Sequence, residues 1–202
     1  MADSILTLGD AVTGLYDTAV VSKAATSTKR LDGLAEYCVQ QLGIRVLTQA
    51  ETEVDLPGGA RTKKWDVTWS LRGKCRLAIS LKSILRNLPG TVPNRLDDLM
   101  GEVTNVQMYS PEVVVGYLML LDVSQDRHSP KHGDTWANYL RARLSGIVGR
   151  SAPAWGFGMV EAACVVSVGF SGEPAVLTPE SDVADFFDAL ATQVKLRNPS
   201  IA

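Results

Sequence analysis

Residues 65–83 read WDVTWSLRGKCRLAISLKS, and the fold turns on how this stretch is paired. Two strand-like runs flank Arg72-Gly73-Lys74, an alternation broken by glycine and charge that predicts a β-hairpin. In the first run Trp65, Val67 and Trp69 point one way and Asp66 and Thr68 the other. In the second, Leu77, Ile79 and Leu81 share a face, and Ala78, Ser80 and Lys82 share its opposite, because side chains alternate along a strand. Pairing the runs predicts Asp66 beside Ser80 and Lys82. A carboxylate and an ammonium meeting on a sheet make a candidate site for a cation and its water.

Outward from the hairpin, the chain has the pattern of an α/β protein. Residues 1–28 carry one modest helical pattern (Ile5, Leu8, Val12, Leu15) and read as an N-terminal helical extension. Residues 29–202 read as a single domain. A helix is expected from Lys29 to Leu42, stopped by Gly43, with Glu36 off its apolar stripe. Ile44–Leu47 reads as a short strand, residues 51–61 as a loop, and residues 88–93, with two prolines and a glycine, as another. Asn94 to Met108 is predicted helical, and VVVGYLMLL at 113–121 has the unbroken apolarity of a strand buried on both faces. A polar loop, a helix over 134–148 capped by Asp134 or Thr135, a buried strand over 160–168 and a helix over 182–196 capped by Ser181 complete the order. Such alternation implies a mixed central sheet flanked by helices.

Composition removes several function classes. The 202 residues suffice for one domain burying about 70 % of its unfolded surface. A net charge of −2 does not advertise a nucleic-acid binder, although basic residues cluster locally at 29–30, 61–64, 72–76, 82–86 and 141–150. Arg141, Arg143 and Arg150 read as surface charge. Cys38, Cys75 and Cys164 are odd in number and far apart, which argues against a disulfide framework. Two histidines, His128 and His132, cannot complete a Cys/His zinc site and read as solvated. There is no basic flank before an apolar leader and no run of about 18 apolar residues, so the expectation is a cytoplasmic protein without a membrane partner. No phosphate loop, dinucleotide-binding glycine pattern or nucleophile elbow occurs, so no nucleotide cofactor is expected.

An αβββαβ order, with Asp66 on the second strand and Ser80-Leu81-Lys82 on the third after thirteen intervening residues, resembles the PD-(D/E)xK nuclease superfamily. The likeness covers roughly residues 29–122 and implies a restriction-endonuclease-like α/β core. Trp65 stands where the motif has proline, and Ser80 where it has the second acid. A subset of restriction enzymes resembling this chain also has Ser-x-Lys and draws the missing acid from the following helix. Here that helix offers Asp97, Asp98 and Glu102, with Asp98 preferred because it is nearer the helix start.

The resemblance implies Mg²⁺-dependent hydrolysis of phosphodiester bonds in double-stranded DNA, with Mn²⁺ able to substitute, by a homodimeric restriction or anti-phage enzyme. Asp66, the Leu81 carbonyl and Asp98 would hold the metal, Lys82 would act on the attacking water, and Glu36 would stand at the first-helix acid position. Lys64, Arg86, Asn94 and Arg95 are candidate DNA contacts. Two alternatives stand beside this: a nuclease-fold subunit that binds DNA or a partner without cleaving, and an unrelated α/β protein. A carboxylate near Asp66 separates the first pair. The second gains if Ser80 and Lys82 face away from Asp66.

Overall fold

The computed structural model describes residues 5–25 and 27–201; residues 1–4, Thr26 and Ala202, part of the two segments expected above, lie outside the described residues. The hairpin forms as its alternation predicts. β2 (Lys63–Leu71) and β3 (Lys74–Ile84) pair antiparallel, and Arg72 and Gly73 both take positive φ, the conformation of a two-residue turn matched to strand twist. β1 (Glu51–Leu56) pairs antiparallel with β2. On the other side β4 (Val114–Asp122) runs parallel to β3, and β7 (Ala162–Gly169) parallel to β4. Short β8 (Ala175–Val176) closes a six-stranded mixed sheet in the order β1-β2-β3-β4-β7-β8, and β5 (His128–Ser129) with β6 (Asp134–Thr135) makes a separate small ribbon.

Helices cover both faces. α1 (Leu8–Tyr16), α2 (Asp32–Ile44) and α5 (Glu180–Arg197) share one core with Val67, Trp69, Leu77, Ile79 and Leu81. α3 (Leu88–Tyr109) and α4 (Trp136–Ser145) share the other with Trp65, Ala78, Tyr117 and Met119. α1 buries Leu8, Ala11, Val12 and Leu15, so the N-terminal helix is part of the first core. Gly116 on β4 lets α5 close in: a Cβ there would stand 2.7 Å from Leu190 Cδ1 and 3.0 Å from the Phe186 ring.

The two faces of β3 are as alternation predicts, but β2 changes phase at Asp66. Trp65 lies in the core under α3, whereas Val67 and Trp69 lie in the opposite core. Opposite Asp66, Glu53 of β1 has a φ of 58°, a left-handed strain that accompanies the irregularity.

Several boundaries differ from expectation, among them the helix expected over 134–148, which spans only 136–145 because Asp134 and Thr135 pair with β5. Residues 44–47 form no strand: α2 runs through Ile44, and only Leu47 of the next three residues is buried. Residues 51–56 are the edge strand β1, whose polar, exposed side chains give no apolar alternation. α3 begins at Leu88, six residues early, because proline is tolerated in a first turn and burial of Leu88 and Val92 overrides the Pro93 signal. α5 starts at Glu180 with Pro179 at its N-cap, not Ser181; Thr135 does cap α4, with its side chain accepting from the Asn138 N–H.

Arg150 is not surface charge. It is 2 % exposed and donates to Glu161 (3.2 Å) and to the carbonyls of Pro111, Val113 and Gly156, while Arg197 holds the same Glu161 at 2.6 Å. His132 is packed against Tyr139, its ring 4.0 Å away and nearly parallel. Among the described residues no helix is long and apolar enough to cross a membrane.

Candidate functional site

Backbone pairing between β2 and β3 stops at Val67–Ile79, and beyond it the strands part. The Leu81 N–H is taken instead by the Asp66 carboxylate at 2.7 Å. The hairpin thus opens at the point where its two chemical residues sit. Lys82 Nζ lies 3.9 Å from Asp66 Oδ2 and donates to Ser80 Oγ at 2.8 Å. Ser80 Oγ in turn donates to Glu102 Oε2 at 3.0 Å, and Lys82 Nζ is 3.5 Å from the same oxygen. Glu102 Oε1 is held by Lys63 Nζ. Asp66, Ser80, Lys82, Glu102 and Lys63 therefore form one connected cluster between the sheet and α3.

Electrostatics divides the two carboxyls. Burial pushes Asp66 above the usual carboxylate range, against the opposing pull of Lys82 and the Leu81 N–H. Burial also penalises charge on Glu102, but Lys82, Lys63 and Ser80 together outweigh it and hold Glu102 below its ordinary value. Two acids in one cluster with opposite shifts are a frequent property of functional sites.

The expected residues separate into those inside and those outside this cluster. Asp98, the preferred substitute acid, is half exposed and paired with Arg95 at 2.8 Å; Glu102, one helical turn on, is the acid that reaches Ser80. The physical reason is that Asp98 falls in the third turn of α3, where Asp97 and Asp98 face solvent, and Glu102 in the fourth, which lies over Ser80. Glu36 is exposed but lines, with Asp66, Glu53 and Leu81, a cavity of about 440 Å³ between α2 and the sheet. Asn94 and Arg95 line a separate hollow with Asp97 and Asp98, and Arg86 lines another with Lys23 and Asp122. Lys64 points outward to Glu53 at 3.4 Å.

Two cations belong to basic clusters visible in the sequence, but their place at the site is not evident from it. Arg30, in the turn before α2, donates to Ser83 Oγ at 3.3 Å; burial lowers its pKa, then the nearby Arg95 charge, with Asp66 opposing. No spacing signals it, since it arrives by tertiary packing. Lys63 shares strand parity with Trp65, and regular alternation assigns that face away from Asp66; the phase change at Asp66 brings it in. Tyr117, which pairs with Ser80 across β3 and β4, carries a buried hydroxyl without a hydrogen-bond partner, as does Arg95 at Nε.

The donor atoms here are hard oxygens of two carboxylates, one hydroxyl and nearby backbone. Among the described residues no three His, Cys, Asp or Glu side chains converge as a metal cage. Mg²⁺ does not require one, being held commonly by one or two carboxylates with water and substrate phosphate completing its shell. The donor set fits such an ion. The chain matches no family model, no curated protein and no solved structure.

Proposed function

We propose that this protein is a Mg²⁺-dependent DNA endonuclease of the PD-(D/E)xK type, in which Glu102 supplies from α3 the carboxylate that Ser80 lacks. The observation that carries this is the single cluster of Asp66, Ser80, Lys82 and Glu102 at the parting of β2 and β3. The order α2, β1, β2, β3, α3, β4, with three antiparallel strands followed by a parallel one, supports the same family.

Asp66 and Glu102 would hold the cation together with the Leu81 carbonyl. A strand residue projects its N–H and C=O to the same side, and the Leu81 N–H already faces Asp66. When bound, the cation acidifies a coordinated water and offsets charge growing on the phosphate. Lys82, anchored by Ser80, directs its ammonium at the attacking water and at the transition-state oxygens. Arg30 and Arg95 present guanidinium groups suited to flanking phosphates. Cutting both strands of a duplex would take two such sites, hence a dimer.

One observation favours a second reading, a nuclease-fold subunit without cleavage: both Glu102 oxygens are already taken up by protein groups. Incubating the protein with supercoiled plasmid and Mg²⁺ or Mn²⁺ separates the two. Nicking that EDTA stops and that Asp66→Ala abolishes supports the endonuclease. No nicking under any divalent ion leaves the binding subunit.

A further inference from the structure

The Glu102 carboxylate is shared by two ammonium groups of different standing. Lys82 is fixed by its 2.8 Å bond to Ser80 and lies between both acids. Lys63 has Glu102 as its one ion-pair partner among the described residues. Its side chain is the most exposed of the three, 23 % against 18 % for Lys82 and 13 % for Glu102. Its neighbour Lys64 turns the other way to Glu53, as period two in a strand requires. Lys63 is thus the one of the pair that strand geometry commits to the site.

Charge makes that commitment consequential. Asp66 and Glu102, ionised, are already matched by Lys82 and Lys63, with Arg30 nearby, so the carboxylates have cationic partners without a metal. A divalent ion placed on the two carboxylates meets an ammonium already on Glu102 Oε1. Both want the same oxygen, and like charges at such separation repel strongly in a partly buried site. The four-carbon stem of lysine lets the ammonium withdraw to water without backbone movement.

We propose that Lys63 is a gate on Glu102: it occupies the carboxylate in the absence of cation, must leave when a divalent ion binds, and so sets the cation affinity of the site. This rests on the cation-site reading above and names what regulates it. Exchange of one cation for another on a carboxylate makes and breaks no covalent bond, and linkage requires that each weaken the other equally.

The test is Mn²⁺ binding, followed by the electron-spin resonance of the free ion, for the wild-type protein, Lys63→Met, Lys63→Gln, Lys63→Arg and Asp66→Ala. Both neutral variants should bind Mn²⁺ at least about fivefold more tightly than wild type, the lower end of ordinary coupling between sites. Lys63→Arg should bind no more tightly than wild type, because a guanidinium grips a carboxylate at two points. A second readout is acylation of Lys63 by an amine-reactive reagent, which Mn²⁺ should accelerate. Neutral variants binding like wild type, with Asp66→Ala still abolishing binding, would overturn the gate while leaving the cation site standing. Absence of Mn²⁺ binding in wild type and neutral variants alike would overturn both.

Discussion

Replacing Glu102 with glutamine tests the electrostatics of the cluster without emptying it. Glutamine keeps the shape and can still accept from Ser80, but it removes the negative charge from between Lys63 and Lys82. Exposed ion pairs contribute about 0–1 kcal/mol, and breaking a fully buried one costs about 3–5 kcal/mol. With side chains 13–23 % exposed, this group lies between those limits, and a loss of about 2 kcal/mol is expected. For a chain of this size that corresponds to a melting temperature lower by about 4–8 °C. The sign with pH follows from the lowered pKa of Glu102. Its stabilisation is fully present above the ordinary value near 4.5 and is lost as pH falls through the lower folded-state value. Urea unfolding of both proteins at about pH 7 and about pH 3 should therefore show a gap that is wider at the first than at the second. An equal gap at both, or none near neutrality, would refute the assignment of Glu102 as a charged partner of the two lysines.

Two further outcomes are expected. Asp66 has a raised pKa, so its contribution to stability is present below the ordinary carboxyl value and lost as pH rises through the folded value; near neutrality its charge is a burden. Asp66→Asn should thus raise the melting temperature of the metal-free protein near pH 7 and leave it unchanged in acid, which differential scanning calorimetry at the two pH values will report. Arg150→Met should cost about 3–5 kcal/mol, because it strips the buried Glu161 of one partner and leaves the Pro111 and Gly156 carbonyls unmet. A denaturation midpoint within error of wild type would show that the pair is not holding the 149–161 segment.

Much of the sheet was legible because its signals are local. Alternation around Arg72-Gly73 gives the hairpin, and the unbroken apolar run from Val113 gives β4, since neither depends on distant partners. β1 is hidden because an edge strand needs no apolar face, and the start of α3 because tertiary burial of Leu88 and Val92 outweighs two prolines. At the site, strand parity pairs Asp66 with Lys82, and the two side chains lie 3.9 Å apart although β2–β3 pairing has already stopped at Val67–Ile79. The choice between Asp98 and Glu102 could not be made by spacing, as both lie on one helix face; it depends on where that helix crosses Ser80. Lys63 escapes because β2 changes phase at Asp66, and Arg30 because nothing in its segment marks the chain returning to the sheet.

Asp66 and Lys82, acting on one cation and its water, are the heart of the proposal, and a double-mutant cycle in single-turnover nicking of plasmid DNA with Mg²⁺ addresses them together. Each of Asp66→Ala and Lys82→Ala should slow nicking by at least about 10². The double variant should be little slower than either alone, because groups that work as a unit are not additive. Nicking at the wild-type rate by either single variant, or losses that multiply in the double, would contradict it.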